Sequence, residues 1–301
     1  MKRLLLIAIS LLAAAGCSEV LDVSTDRMEK TYLVVESIIT DVPSQRQSVR
    51  LSLSVPYFYD GEIPPVSGAE VSVSFDGSEV SFLEDDTHKG LYLAPEDFCG
   101  TPGTTYTLSV KAEVDGESHT YGAEAFMREP GVHIDAIDYA YAGGGTLQQD
   151  SLWTLGVWGE DFPGANDYLV VTEVNGNHYP IDHYIIMPDK YFDGKSVEGF
   201  PMAVLYQVAE MRKQYGDVAK FLETGDVVSL HAYTLDRPFY EFLRALDTSG
   251  PFGTIPFVSS QPATSPTNIT GGDALGFFAA CPVISASVTI DDPFRTSYLE
   301  H

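Results

Sequence analysis

The feature that most constrains this chain is an alternation of apolar and polar residues at period two, cut into short pieces by turn dipeptides from Tyr32 onward. Successive side chains of a strand point to opposite faces, so such alternation gives one face to a core and the other to solvent. Residues 32–39 form a β-branched run that ends at the turn Asp41-Val42-Pro43-Ser44, and residues 49–55 alternate cleanly. A further alternating run, residues 64–75, is followed by Asp76-Gly77, a two-residue hairpin signal. Residues 80–83, 90–93, 103–112 and 119–125 continue the pattern around the acidic turn Glu84-Asp85-Asp86 and the Asp115-Gly116 turn. Seven or so short strands with no helix between them predict an antiparallel β-sandwich over residues 31–128.

Arg128-Glu129-Pro130-Gly131 then reads as a boundary, with a β-rich second domain over residues 131–301. Strand patterns recur at 132–139, 152–158 and 168–174, and Asn175-Gly176 feeds a hairpin into residues 179–187. Two stretches read as helices. Near 202–215, Val204, Leu205, Val208, Ala209 and Met211 are spaced for one apolar face. Near 237–247, Phe239, Phe242, Leu243 and Leu246 recur on one face, Asp236 can cap the first turn, and Pro238 is tolerated there. The segment 252–273 is loop-rich, and residues 275–278 and 283–290 are again strand-like. The fold class is therefore mainly β, an N-terminal antiparallel β-sandwich followed by a β-rich domain with two or so helices.

The first 17 residues belong to neither domain. Lys2 and Arg3 precede an apolar run from Leu4 to Ala15, too short for a permanent membrane span, and Gly16-Cys17 forms a small-residue junction. This reads as a bacterial export signal, residues 1–17, that ends at a lipidation site, Cys17. More than one acyl chain on Cys17 would anchor the protein to a membrane, since affinity grows by about 0.8 kcal/mol per buried methylene. The alternative is an ordinary secretory signal cut near Ala15, which would leave Cys17 unmodified. Residues 18–30 are polar and charged, as a tether would be.

Formal charge is -26, with 17 basic and 43 acidic residues, and loss of Lys2 and Arg3 with the signal makes it -28. No extended basic cluster follows residue 3, so nucleic acid is excluded as a partner. Cys99 and Cys281 would remain after lipidation of Cys17. In an oxidising compartment they could form a disulfide, though two separately buried thiols would leave the same sequence trace.

The sequence holds few signatures of chemistry. His178 and His183 are five apart in a predicted hairpin strand, and the His-Glu-x-x-His zinc pattern is absent. His231 reads as a hydrogen-bonded core histidine. Glu84-Asp85-Asp86 and Glu160-Asp161 lack the spacing of a calcium loop and read as solvated turns. There is no Gly-x-Ser-x-Gly elbow and no phosphate loop. Tyr57-Phe58-Tyr59 and Tyr139-Ala140-Tyr141 are aromatic clusters that suit either packing or a carbohydrate or protein contact. No catalytic residue, metal or cofactor is assigned, and the ligand is unknown.

The order of motifs resembles the Bacteroidota domain of unknown function 4249 family of exported lipoproteins. The matching pieces are Cys17, the run from Leu33 to Asp41, the run from Val66 to Val73, Gly90-Leu91-Tyr92, the run from Gly103 to Val110, Asn268-Ile269-Thr270-Gly271-Gly272 and Gly276-Phe277-Phe278. The resemblance implies a non-enzymatic outer-membrane lipoprotein, an accessory or ligand-binding partner of a TonB-dependent transporter. The Gly90-Leu91-Tyr92 and Gly103-x-x-Tyr106 patterns are also similar to the prealbumin-like domains of such transporters, and so imply an immunoglobulin-like or prealbumin-like sandwich. Acidic residues after the lipidated cysteine direct such lipoproteins to the outer face of the outer membrane, and Glu19 and Asp22 fit this, so a surface-exposed location is expected over a periplasmic one. A surface adhesin or structural protein is the alternative from another class, and a glycan or peptide hydrolase with carboxylates that converge only in three dimensions is a third.

Overall fold

The computed structural model describes residues 30–56, 59–144, 151–178, 184–207, 222–249 and 266–299. In chain order the strands are β1 (Leu33–Thr40), β2 (Ser48–Leu53), β3 (Glu70–Phe75), β4 (Ser78–Glu84), β5 (Leu91–Leu93), β6 (Thr105–Val114), β7 (Glu117–Phe126), β8 (Val132–Gly144), β9 (Ser151–Asp161), β10 (Asp167–Val174), β11 (Asn177–His178), β12 (Tyr184–Pro188), β13 (Ser196–Gln207) and β14 (Val227–Leu235). Helix α1 (Arg237–Ser249) precedes β15 (Ala274–Cys281) and β16 (Val283–Thr289).

The period-two patterns become strands with one buried face. Along β6 burial alternates without a break, placing Tyr106, Leu108, Val110, Ala112 and Val114 inside. The three hairpin dipeptides adopt the left-handed backbone that their turns need: Asp76-Gly77, Asp115-Gly116 and Asn175-Gly176 all have positive φ. The first sheet runs β15-β1-β2-β5-β4-β3-β6-β7 and curls around one core that includes Val35, Leu51, Tyr92, Leu108 and Met127.

This first unit is not the contiguous 31–128 segment that the sequence suggests. β15 pairs in parallel with β1, Leu33 opposite Ala274 through Thr40 opposite Cys281. Just before it, Thr270 and Gly122 of β7 exchange backbone hydrogen bonds of 2.7 and 3.0 Å, bringing the two ends of the sheet together. Asn268 fixes the closure: its Nδ2 donates to the carbonyls of Glu124 and Phe278, and its Oδ1 accepts from the Phe278 amide. Ile269, Ala274, Phe278 and Ala280 thereby enter the first core. Parallel pairing requires a crossover connection. Here the connection runs through β2 to β14 and the helix α1, and so includes most of the second unit.

That second unit is a pair of facing sheets. One has the order β11-β10-β14-β16 with β12 also on β10; the other is β13-β9-β8. Tyr139, Trp153, Leu155 and Leu205 meet Val174, Val228 and Ile290 between them, and Ile137 and Val157 meet Tyr168, Val170 and Leu230. The helix expected near 202–215 is corrected over its described part: residues 202–207 are strand, the end of β13, paired with β9 from Leu155 to Ser151. Apolar residues at Val204 and Leu205 satisfy a helical face or a buried strand equally, and pairing beside Trp153 decides for the strand. Residues 208–215 lie outside the described residues. Pro201 is tolerated because β13 is an edge strand.

The helix expected near 237–247 is α1. The Phe239 amide donates to Asp236 Oδ1 at 2.9 Å, the capping bond that the sequence predicts. Its apolar face joins Leu169 and Val171 of β10 to Phe277, Ala279 and Cys281 of β15, so one small core ties the two units together. Only Pro282 separates β15 of the first sheet from β16 of the second. Between β7 and β8, Arg128 donates to the carbonyls of Leu235 and Ala165 and to Asn166 Oδ1, and the Gly131 amide donates to Thr234 Oγ1.

Candidate functional site

Two features concentrate chemistry in the second unit and at its junction with the first. The first lies where the turn after β9 meets the loop after β12. Asp161, Asp189 and Asp193 converge there, with one carboxylate oxygen from each within 4.8 Å of the others. Asp161 and Asp189 are buried, and Asp193 is exposed. Tyr168 donates its hydroxyl to Asp161 Oδ1 at 2.6 Å, the Gly194 amide donates to Asp161 Oδ2, the Asn166 amide to Asp189 Oδ2 and the Gly164 amide to Asp193 Oδ1. The carboxylates therefore staple the two loops together. An all-oxygen donor set of this kind suits a hard cation. Burial raises the Asp161 pKa, the hydrogen bonds from Tyr168 and Gly194 oppose this, and Asp189 and Asp193 add to it by repulsion.

A raised carboxylate pKa means that folding takes up a proton at Asp161, so its contribution to stability is greater at low pH and is lost as pH rises through the folded-state value. In EDTA, lowering the pH from 7 to just above the ordinary carboxylate range should therefore stabilise the protein more than it stabilises Asp161→Asn. Urea midpoints of the two proteins across that range measure the difference, and equal slopes would show that Asp161 carries no such linkage.

The second feature is an open apolar groove of about 550 Å³ between α1 and the β1–β15 pair. Phe239, Phe242 and Phe277 form its wall, with ring centroids 5.1 to 6.1 Å apart. Leu246 and Leu275 stay exposed at its rim.

Cys17 and residues 18–29 of the tether lie outside the described residues, as do Tyr57, Phe58 and His183. Cys99 and Cys281, for which the sequence left a bridge or two separate thiols open, are free thiols. Both stand at the end of β1: Cys99 Sγ lies 3.7 Å from the Thr40 carbonyl oxygen, and Cys281 is opposite Thr40 in the β1–β15 register. Cys281 is enclosed in the small core under α1, and burial pushes both thiols up. The acidic turn at 84–86 holds itself. Glu84 accepts from the amides of Gly90 and Gly68, and Asp85 accepts from Thr87 and His88, which keeps both carboxyls below their usual range. Tyr139 is fully buried, and Tyr141 packs on Trp153 and Phe294.

His231 is not a core histidine. It stands on the outer face of β14, its Nδ1 2.7 Å from Ser285 Oγ and its Nε2 3.4 Å from Glu173 Oε2. The Asp161 group was hidden in the sequence because Asp189 and Asp193 belong to another loop.

Fold and sites together define a β protein of two packed units with a helix wedged at their junction. The chain belongs to the family described as domain of unknown function DUF4249, which matches residues 18–287. No curated protein matches the sequence. Among solved structures, the β-glucuronidase of Parabacteroides merdae with glycerol in its active site is similar at 7% identity and a TM-score of 0.21, over 68% of this chain and 23% of that one. A likeness at that score carries no argument about fold or activity.

Proposed function

We propose that this protein is a non-enzymatic, lipid-anchored outer-membrane protein that serves as an accessory or ligand-capturing partner of a TonB-dependent transporter, displayed on the cell surface. The observation that carries the reading is the junction at Cys17. An export signal with a lipidation cysteine occupies residues 1–17, and the family region begins at residue 18. Among the described residues no helix is long and apolar enough to cross a membrane, which is compatible with anchoring through lipid. The groove beside α1 falls in the size range of ligand sites and supports the capture half of the reading.

Tagged protein extracted from its native membrane in mild detergent should co-purify with a TonB-dependent transporter, and Cys17→Ala should move the protein to the soluble fraction and reduce that recovery. Recovery of no transporter with the membrane-bound wild type would contradict the partnership.

A further inference from the structure

We propose that the groove beside α1 takes a small apolar ligand that bears one ammonium group, a reading that rests on the ligand-capture half of the function proposed above. The strand and the helix define the apolar body. Val34, Glu36 and Ile38 of β1 line the groove because the alternate residues Leu33, Val35 and Ile39 are turned into the first core. Phe239 and Phe277 are buried and pack on the half-buried Phe242, so the aromatic wall stands before a ligand arrives. Leu246 and Leu275, each 41% exposed, leave apolar surface at the rim for the ligand to cover.

Glu36 sets the charge. Among the described residues that line the groove it alone is charged, and it is exposed between Val34 and Ile38. No hydrogen bond or ion pair engages its carboxylate among the described residues, and its cross-strand neighbour Arg50 does not line the groove. A ligand that fills the groove takes water from that carboxylate, which costs free energy unless the ligand brings a positive donor to it. An anionic ligand of the same shape meets repulsion instead.

The helix favours the same sign independently of Glu36. A helix C-terminus carries about half a negative charge, and the last turn of α1, which brings Leu246 to the groove, holds no basic residue to offset it. Aromatic ring faces attract an ammonium as well, and the wall is built of them. The chain's net charge of -26 aids the approach of a cation from solution.

The test is calorimetric titration of the full mature chain, carrying Cys17→Ser so that no detergent competes for the groove, with three probes that share one body: phenylbutylamine, phenylbutanol and phenylbutanoate. The amine should bind at a single site, the alcohol about ten-fold more weakly and the carboxylate more weakly still. Glu36→Gln should weaken the amine by about five-fold and leave the alcohol unchanged. Leu246→Ser, at an exposed position, should weaken amine and alcohol alike, whereas Glu79→Gln on β4 should change neither and so separates the groove from the acidic surface at large. Equal binding of the three probes, amine binding undiminished in Glu36→Gln, or no binding of the amine would overturn the site; recovery of a transporter with the membrane-bound protein reports separately on the partnership.

Discussion

Gly276→Ala is expected to destabilise the protein by about 3 to 5 kcal/mol, at the severe end of single substitutions. Gly276 sits within β15 at φ +88°, opposite Val35 of β1. A Cβ there would fall inside the van der Waals envelope of the Val35 carbonyl oxygen and crowd the Val35 backbone on both sides of it. The obstacle is backbone in a ladder, which cannot step aside as a side-chain tip can. Left-handed backbone alone costs a residue with Cβ about 1 to 2 kcal/mol, and displacement of β15 from β1 adds the rest. Because Phe278 and Ala280 sit in the first core and Phe277 and Cys281 in the core under α1, both units feel the shift. Gly116→Ala is the control: it too has positive φ, with nothing near its missing Cβ, so its loss should stay near 1 kcal/mol. Urea unfolding of the two variants measures the difference, and equal losses would show that β15 does not press against β1.

Arg295→Ala should cost about 3 to 5 kcal/mol, the usual result of leaving one member of a buried ion pair alone. The chain after β16 is fastened to β8 and β9. Arg295 donates through both terminal nitrogens to Asp138, whose side chain is 1% exposed, and its guanidinium lies 4.2 Å from the Tyr139 ring centroid. The Leu299 amide donates to Asp138 Oδ2, Trp153 Nε1 to the Pro293 carbonyl, and the Tyr298 hydroxyl to Thr154 Oγ1. With Arg295 removed, the Asp138 carboxylate loses the two guanidinium hydrogen bonds that compensate its burial. Replacing both partners, Arg295→Met with Asp138→Leu, should recover most of the loss, since a buried pair adds little over apolar packing. A double-mutant cycle by denaturant unfolding tests this, and additive losses would deny the coupling.

What was legible in the sequence was local. Alternation along β6 and the dipeptides Asp76-Gly77, Asp115-Gly116 and Asn175-Gly176 specify strand faces and turns through backbone preferences confined to a few residues. Asp236 announced α1 in the same way. Pairing across the chain left no such mark. Ala274–Cys281 is an apolar run of the kind that suits a strand buried on both faces, yet nothing in it says that its neighbour is β1, some 240 positions earlier. Residues 202–207 show the reverse failure, where a pattern compatible with a helix gave way to burial beside Trp153. The sites failed for the same reason. Asp161 meets Asp189 and Asp193 only after two loops fold together. The apolar groove likewise needs α1 and the β1–β15 pair in place before it exists.

The proposed function depends most heavily on Cys17, and intact-mass and N-terminal peptide analysis of protein extracted from its native membrane tests it most directly. The expected result is a mature chain that begins at Cys17 and carries a diacylglyceryl thioether with an amide-linked acyl chain, recovered from the membrane fraction. A soluble protein with an unmodified thiol at Cys17, or one that retains residues 1–16, would contradict the proposed function at its base.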